Sequence, residues 1–477
     1  MNSKITAVTL VGSPQEVFVR LRDGQHITLL ESAQKRAHAP RWSYIACAPL
    51  ATLKSLEDGA ALYAADGLHA SPVRVWRDPF DALRDVLATF VCSKANAPTQ
   101  QPAGLSFVAG LVGFLGYDLV RSIERLPTLA LADVTLPDLH LHLCDHVLAY
   151  DHAQAQWFFC TTLLQNSDAA ARALVWETTL KQAQRHPQQP PTLAPAPAFQ
   201  VGPVLCKTPA PQYLQQVQTL LDFVHAGDIL QANLSHRLEA AFAGDAFALY
   251  QALTQANPAP YAAYLQGDGF AIASVSPEQF LQVKQGQIQA RPIKGTRLRS
   301  ADPQQDSMAY ESLQASPKDR AENVMIVDLM RNDLGRVAQV GSVRVASLFD
   351  IEAHPSVWQM VSTITADLRD DADLVDLLRA CWPPGSMTGA PKVRAMQIID
   401  SIEPVRRGPY AGAIGYMDVS GDMDLSVVIR TAVVAQDRVM VQVGGAIVAD
   451  SDPASELDET YAKGRILFKM LGWQSRV

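Results

Sequence analysis

The residues with chemical potential begin with Lys294. It stands in Arg291-Pro292-Ile293-Lys294-Gly295-Thr296-Arg297, with Arg299 close behind. Pro292 fixes its own φ and restricts Arg291, while Gly295 accepts conformations that other residues avoid. The lysine is therefore expected on a constrained turn at the end of a strand. A free lysine, pKa about 10.4, is neutral in roughly one molecule in 10³ at pH 7. Burial and neighbouring cations both lower that value, and a desolvated lysine can act as a nucleophile. Taken alone, the stretch reads more simply as a solvated surface lysine. Glu456, Glu459 and Lys463 fall on one face of about two helical turns. Their ordinary reading is an exposed ion pair, worth about a few tenths of a kcal/mol. Gln231 and Asn233 share one face of a strand-like stretch over 228–235.

Several elements must position these groups. Leu214, Val217, Leu220, Leu221 and Val224 follow helical spacing, and Gly227 sits where a C-cap belongs. Two hairpins are expected, turning at Gly267-Asp268-Gly269 and at Gln285-Gly286. Ser274-Val275-Ser276-Pro277-Glu278 lies between them, and the second hairpin delivers Lys294. A helix is predicted over 318–334, with Ala321, Met325, Asp328 and Leu329 as its buried stripe and Glu322 beside it. The stretch 382–392 is a turn entering a helix with Pro391 near its first position. Strands are expected over 410–419, 425–434 and 439–443, and Gly444-Gly445-Ala446 precedes another. The last helix starts near Ser451-Asp452-Pro453, a good N-cap and first-turn arrangement.

Upstream, residues 1–185 alternate strand-like and helix-like stretches, with strands over 27–30 and 41–46. The glycine-punctuated run 110–118 suits close backbone packing, since the phosphate-binding G-x-x-x-x-G-K-[ST] pattern is absent. Pro187, Pro190, Pro191, Pro195, Pro197, Pro203, Pro209 and Pro211 mark 186–211 as an extended linker. It divides an N-terminal region, 1–185, from a C-terminal region, 212–477, that holds the candidate chemistry.

At 477 residues and 48% hydrophobic, the chain can bury a large core. A net charge of −8 argues against a broad footprint for nucleic acid. No apolar run reaches about eighteen residues, so no membrane-spanning helix is expected, and the N-terminus lacks the form of a secretory signal. The 6 cysteines are dispersed and read as reduced thiols of a cytosolic protein.

Taken together and in order, 227–235, 274–278, 292–296, 318–336, 383–392, Ile429-Arg430-Thr431, 444–451 and 456–463 resemble the chorismate-utilising enzymes. That family includes anthranilate synthase component I, aminodeoxychorismate synthase component I, and the isochorismate and salicylate synthases. The resemblance implies an α+β fold, two large antiparallel sheets packed as a sandwich with helices outside. It implies chorismate as substrate and one Mg²⁺, with Glu322 and Glu459 as metal ligands and Glu456 contributing through water. Arg430 and Lys463 match carboxylate-binding positions. The N–H groups of Gly444, Gly445 and Ala446 match an anion nest, and Thr388 and Tyr416 match residues lining the same pocket. Glu278 matches the general acid/base. Leu29-Leu30-Glu31-Ser32 and 41–44 resemble the family's amino-acid pocket, so Ser32, Tyr44, Pro260 and Tyr261 are candidate effector contacts.

Two positions separate the branches. Isochorismate- and salicylate-forming members carry a lysine, which activates water, at the position of Gln231. Anthranilate synthases carry alanine at the position of Lys294, where the aminodeoxychorismate-forming branch carries lysine. The pair implies amination of chorismate at C4 through a lysine adduct at C2, the first committed step toward 4-aminobenzoate and folate. Ammonia would come from a glutaminase partner, because no G-x-C-x-G motif is present. An anthranilate synthase-type activity is the alternative, and a catalytically dead binding protein is a reading from another class. Three departures from the family stand out: Gln359 where histidine is common, Ala446 for a glycine, and Ala262 where feedback-inhibited anthranilate synthases carry methionine.

Overall fold

Stretches rich in β-branched and aromatic residues, separated by glycine- and aspartate-containing turns, fold here into two antiparallel sheets. The structure, a computed structural model, describes residues 3–22, 26–33, 40–64, 71–90, 101–164, 167–185, 198–354 and 357–473. Among them the sheets have 13 and 12 strands. The first runs, in spatial order, Ser3–Val8, Gln156–Thr162, His146–Asp151, Trp42–Ala46, Ile27–Glu31, Tyr261–Gly267, Phe270–Ser276, Thr431–Ala435, Arg438–Ile447, Gln231–Gly244 and Phe199–Val201. The second runs Ile293–Leu298, Val357–Asp367, Gln287–Arg291, Gln279–Lys284, Met423–Val427, Ala413–Asp418, Gly110–Leu115, Leu139–Cys144, Ala51–Leu56, Gly59–Ala64 and Arg74–Trp76.

The sheets face each other. Phe114 and Ile414 of the second pack with Leu265, Phe270, Ile272 and Val433 of the first in one buried cluster, which makes the core a sandwich. Helices lie outside, Pro453–Met470 against Arg438–Ile447 and Pro317–Gly335 against Val357–Asp367. The architecture is the α+β sandwich that the resemblance implies. Both sheets mix early and late segments of the chain: Ile27–Glu31 pairs with Tyr261–Gly267, and Gly110–Leu115 pairs with Ala413–Asp418. Of the proline-rich 186–211, residues 186–197 lie outside the described residues. Phe199–Val201 and Leu205–Cys206 pair with Gln231–Gly244, and helix Ala210–His225 follows.

Glycine in the run 110–118 does serve close packing. Gly113 pairs with Gly415, and a Cβ would come within 2.1 Å of the His140 carbonyl at the first and 1.9 Å of the Asp424 carbonyl at the second. Two expectations fail. The strand expected over 425–434 is two strands in different sheets, Met423–Val427 and Thr431–Ala435. The apolar run Val427-Val428-Ile429 conceals the crossing, because nothing in its composition marks a change of sheet. The buried stripe of helix Pro317–Gly335 is Asn323, Ile326, Val327, Met330, Asp333 and Leu334, with Ala321 and Asp328 exposed. That face buries Ile326, Val327, Met330 and Leu334, and its buried Asn323 accepts a hydrogen bond from the Ser362 hydroxyl at 2.5 Å. The described cysteines, Cys47, Cys144, Cys160, Cys206 and Cys381, are free, and Cys92 lies outside the described residues.

Candidate active site

The chain crosses from the first sheet to the second between Phe270–Ser276 and Gln279–Lys284, and back between Met423–Val427 and Thr431–Ala435. The two crossings lie side by side: Val275 N donates to the Arg430 carbonyl at 3.1 Å, and Val427 N to the Glu278 carbonyl at 3.0 Å. Glu278 and Arg430 are thereby set next to each other at the end of the sandwich. Arg430 has φ 51°, a left-handed conformation uncommon for a long side chain. Its guanidinium makes no hydrogen bond or ion pair among the described residues and faces a cavity of about 540 Å³. That volume suits a small organic ligand.

Lys294 enters the same cavity from the edge strand Ile293–Leu298. Ile293 pairs with Val361 and Thr296 with Gln359, so one extra residue is inserted at Lys294-Gly295. This bulge re-aims the lysine. Gly295, at φ 85°, supplies the left-handed residue it needs. The flanking arginines do not supply the cationic field expected of them, because each has its own carboxylate: Arg291 with Glu352, Arg297 with Asp319 at 2.7 Å, and Arg299 with Asp306 at 2.7 Å. The Lys294 pKa is still lowered, first by burial, with Lys463 adding to it against the opposing pull of Glu322, Glu278 and Glu459. The Lys294 Nζ donates only a long hydrogen bond, 3.4 Å, to the Ser386 carbonyl. Glu278, buried at 5% exposure, is pushed up by that burial against the pull of the Ser386 hydroxyl, Lys294 and Arg430. The Arg430 pKa is lowered by burial.

Two helices close the far side. Pro317–Gly335 supplies Lys318 and Glu322, and Pro453–Met470, capped by Asp452 through Ser455 N, supplies Glu459 and Lys463. Glu322 is raised by burial against Lys294 and Lys318. Burial pushes Glu459 up as well, but Lys463 at 2.6 Å, with Lys318 and Lys294, brings it below the ordinary carboxylate value. The floor is formed by Gln231–Gly244 and Arg438–Ile447, with Asn233 opposite Ala446 and Ser235 opposite Gly444.

Glu278, Lys294, Glu322, Arg430, Gly444, Ala446, Glu459 and Lys463 thus share one cavity. Other expected residues stand elsewhere. Tyr416 does not line this cavity. It stacks on Phe107 and meets Tyr44 in the second cavity described below, and Tyr410 lines the site instead. Both belong to one aromatic-containing segment, and only the path of the chain through the crossings distinguishes them. Thr388 is buried beside the floor strand, where its carbonyl accepts from Asn233 N at 2.7 Å. Gln231, the first residue of that strand, is buried opposite Ala390, with no hydrogen bond to its side-chain amide among the described residues. Glu456, 2% exposed, turns to the Ser451 hydroxyl at 2.6 Å and to Lys318 at 3.6 Å. The oxygens of Glu322, Glu456 and Glu459 do not gather within 4.8 Å of one another.

The 444–446 backbone is extended strand rather than a nest, and none of these residues has positive φ. Asn233 N and Ser235 N bond to Thr388 and Glu403 instead of to the facing strand, so the Gly444 and Ala446 N–H groups point to the other edge. That edge is open, because Thr431–Ala435 pairs only as far as Val441. Gly445 faces Glu456. Asn233 lines the cavity, as do Ser386, Gln442 and Tyr410, which the sequence did not single out. Gln359, 2% exposed, lines it with its Oε1 unbonded.

A second cavity, of about 160 Å³, lies between the sheets and includes Ser32, Tyr44, Pro260 and Tyr261 in its wall, with Glu31, Arg41 and Asp424. The four expected effector contacts do come together.

The chain is similar to known proteins over most of its length. Aminodeoxychorismate synthase component 1 of Klebsiella aerogenes is 43% identical over 394 residues, 82% of this chain and 83% of that protein. The protein of the same name from Salmonella typhimurium is 45% identical over 369 residues, 77% of this chain and 78% of the relative. Anthranilate synthase component 1 of Acinetobacter calcoaceticus is 35% identical over 476 residues, 96% of this chain and 92% of the relative. The crystal structure of anthranilate synthase component I from Streptococcus pneumoniae superposes with a TM-score of 0.79 at 28% identity, covering 96% of this chain and 97% of that one. Residues 51–469 match the profile of the chorismate binding enzymes. With this match and these relatives, the chain belongs to the chorismate binding enzyme family.

Proposed function

We propose that this chain aminates chorismate at C4, giving 4-amino-4-deoxychorismate, with ammonia supplied by a glutaminase partner. The observation that carries the reading is Lys294, poised toward neutrality in a cavity it shares with a carboxyl, Glu278, poised toward protonation. A neutral amine and a protonated acid are the two forms that displacement of a hydroxyl requires. The Lys294 nitrogen bonds to C2, both conjugated ring double bonds shift toward C4, and the C4–O bond breaks so that the hydroxyl leaves as water with the Glu278 proton. The new ammonium at Lys294 then loses a proton. Ammonia next bonds to C4, both double bonds shift back, and the C2–N bond breaks, Lys294 departing as an amine with the proton that the added nitrogen sheds. Chorismate and ammonia give product and water, and pyruvate is not eliminated.

Arg430, Lys463 and the open N–H groups of Gly444 and Ala446 would bind the substrate carboxylates. Buried Gln231, unlike a lysine, offers no base for water attack at C2. A hard divalent cation suits the oxygens here: Glu322 has no ion-pair partner among the described residues, and Glu456 keeps Oε2 buried without a hydrogen bond. Glu322 and Glu459 would hold Mg²⁺, with Glu456 behind them. When bound, it supplies positive charge against the ring carboxylate of the substrate.

The competing reading is anthranilate formation, which relatives of that name favour by spanning more of the chain. Gln359, at the cavity wall, offers no acid for the added elimination. Product identification decides between them: purified protein with chorismate, Mg²⁺ and ammonium should yield aminodeoxychorismate. Anthranilate would support the other reading, and unconsumed chorismate would reject both.

A further inference from the structure

Away from the active-site cavity, three histidines converge between the sheets. His140 and His142 lie on strand Leu139–Cys144 of the second sheet, and His26 immediately precedes Ile27–Glu31 of the first. One ring nitrogen from each falls within 4.8 Å of the other two. His140 and His142 are 0% and 1% exposed, and the His26 side chain is 11% exposed. Among the described residues, both nitrogens of His140 and Nδ1 of His26 have no hydrogen-bond partner. Buried polar atoms are seldom left so, and three together exceed what ring packing explains. The rings meet edge to face, His140 with His142 at 4.7 Å and His26 with His142 at 5.2 Å between centroids. His142 is oriented by the Thr52 hydroxyl, 3.1 Å from Nδ1. His26 holds φ 70°, a backbone conformation seldom adopted by residues other than glycine.

Asp268, in the turn after Tyr261–Gly267, brings Oδ1 to 3.1 Å from His26 Nε2, while its other oxygen is held by Lys54. Among the described residues, the charged groups that act on the cluster are thus one carboxylate and one ammonium. Burial lowers the pKa of each imidazole, helped by Lys54 and, at His140 and His142, by the neighbouring histidines, while Asp268 opposes it at His26 and a hydrogen bond to the Gln266 backbone opposes it at His142.

We propose that His26, His140 and His142 form a binding site for a late first-row divalent metal of the zinc class, clipping one sheet to the other. Three imidazole nitrogens, with water completing the shell, are a donor set for such ions, and magnesium would not select it. Asp268, 3.1 Å from His26 Nε2 and held by Lys54, would orient the His26 ring from outside the ligand set. The partly exposed His26 and Asp268 give the ion its way in.

The test uses the untagged full chain with excess Mg²⁺ present, to occupy carboxylate sites, and Co²⁺ or Zn²⁺ as probe. The expected result is one equivalent of Co²⁺ with the intense visible absorption of a tetrahedral nitrogen-rich site, and a thermal midpoint that rises with Zn²⁺ concentration. His142→Gln and His26→Ala should each abolish both. His26→Ala, at the rim, keeps the test decisive if the buried variant does not fold. Absence of binding at about 100 μM metal, only the weak absorption of an oxygen-ligated ion, or an unchanged signal in folded His26→Ala would overturn the site.

Discussion

At Lys294, burial draws the pKa down, Glu322 pushes back, Lys463 draws it down further, and the net shift is downward. The folded state therefore binds this proton less tightly than the unfolded chain. Stability from this group rises as pH climbs from the lowered pKa toward the ordinary lysine value, and below both the penalty is fully present. Lys294→Met should accordingly lower aminodeoxychorismate formation by orders of magnitude while raising the thermal midpoint at neutral pH; a variant that is inactive because it is unfolded would refute the claim. Lys463→Gln removes a cation and frees Glu459, both of which raise the Lys294 pKa. The acid limb of the rate should then move to higher pH, and an unmoved limb would separate Lys463 from the nucleophile. That Lys294, Glu278 and Arg430 share one cavity was legible in the sequence through motifs in order. The displaced residues, Tyr416, Thr388, Gln231 and Glu456, were not, because a motif shows adjacency along the chain and not which wall of a pleated sheet a side chain reaches.

The bulge in Ile293–Leu298 is the element that aims Lys294 into the cavity. Gly295→Ala would place a Cβ 2.9 Å from Leu313 and 3.0 Å from Asp319, at φ 85°. The left-handed backbone alone costs about 1–2 kcal/mol, and misplacing the lysine by about 1 Å costs on the order of 10²-fold in rate. Gly295→Ala should therefore remain folded and lose far more activity than stability; equal losses would show that the bulge serves only the fold. The turn chemistry at Gly267-Asp268-Gly269, Gln285-Gly286 and Asp452-Pro453 announced its elements correctly. The crossing at 428–430 was hidden, since an uninterrupted apolar run suits one central strand as well as a strand that ends and changes sheet.

Over the whole molecule, the active-site cavity lies where strands leave one sheet for the other and two helices close over them, so its walls come from segments far apart in sequence. Alternation and turns made the strands readable, but their spatial order, in which Ile27–Glu31 lies beside Tyr261–Gly267, depends on pairing across the proline-rich stretch. No periodicity encodes that pairing. Nitrogen supply belongs to this scale too. With glutamine as the sole nitrogen source the isolated chain should form no aminated product, and adding a glutaminase subunit should restore it; turnover of glutamine by the chain alone would contradict the proposed partner. The central claim is a covalent bond to Lys294, and mass analysis of peptides after incubation with chorismate and Mg²⁺, without ammonia, tests it most directly. The expected result is chorismate less one water on the peptide bearing Lys294, discharged as aminodeoxychorismate when ammonium is added. An unmodified Lys294 in a preparation that turns over chorismate would contradict it.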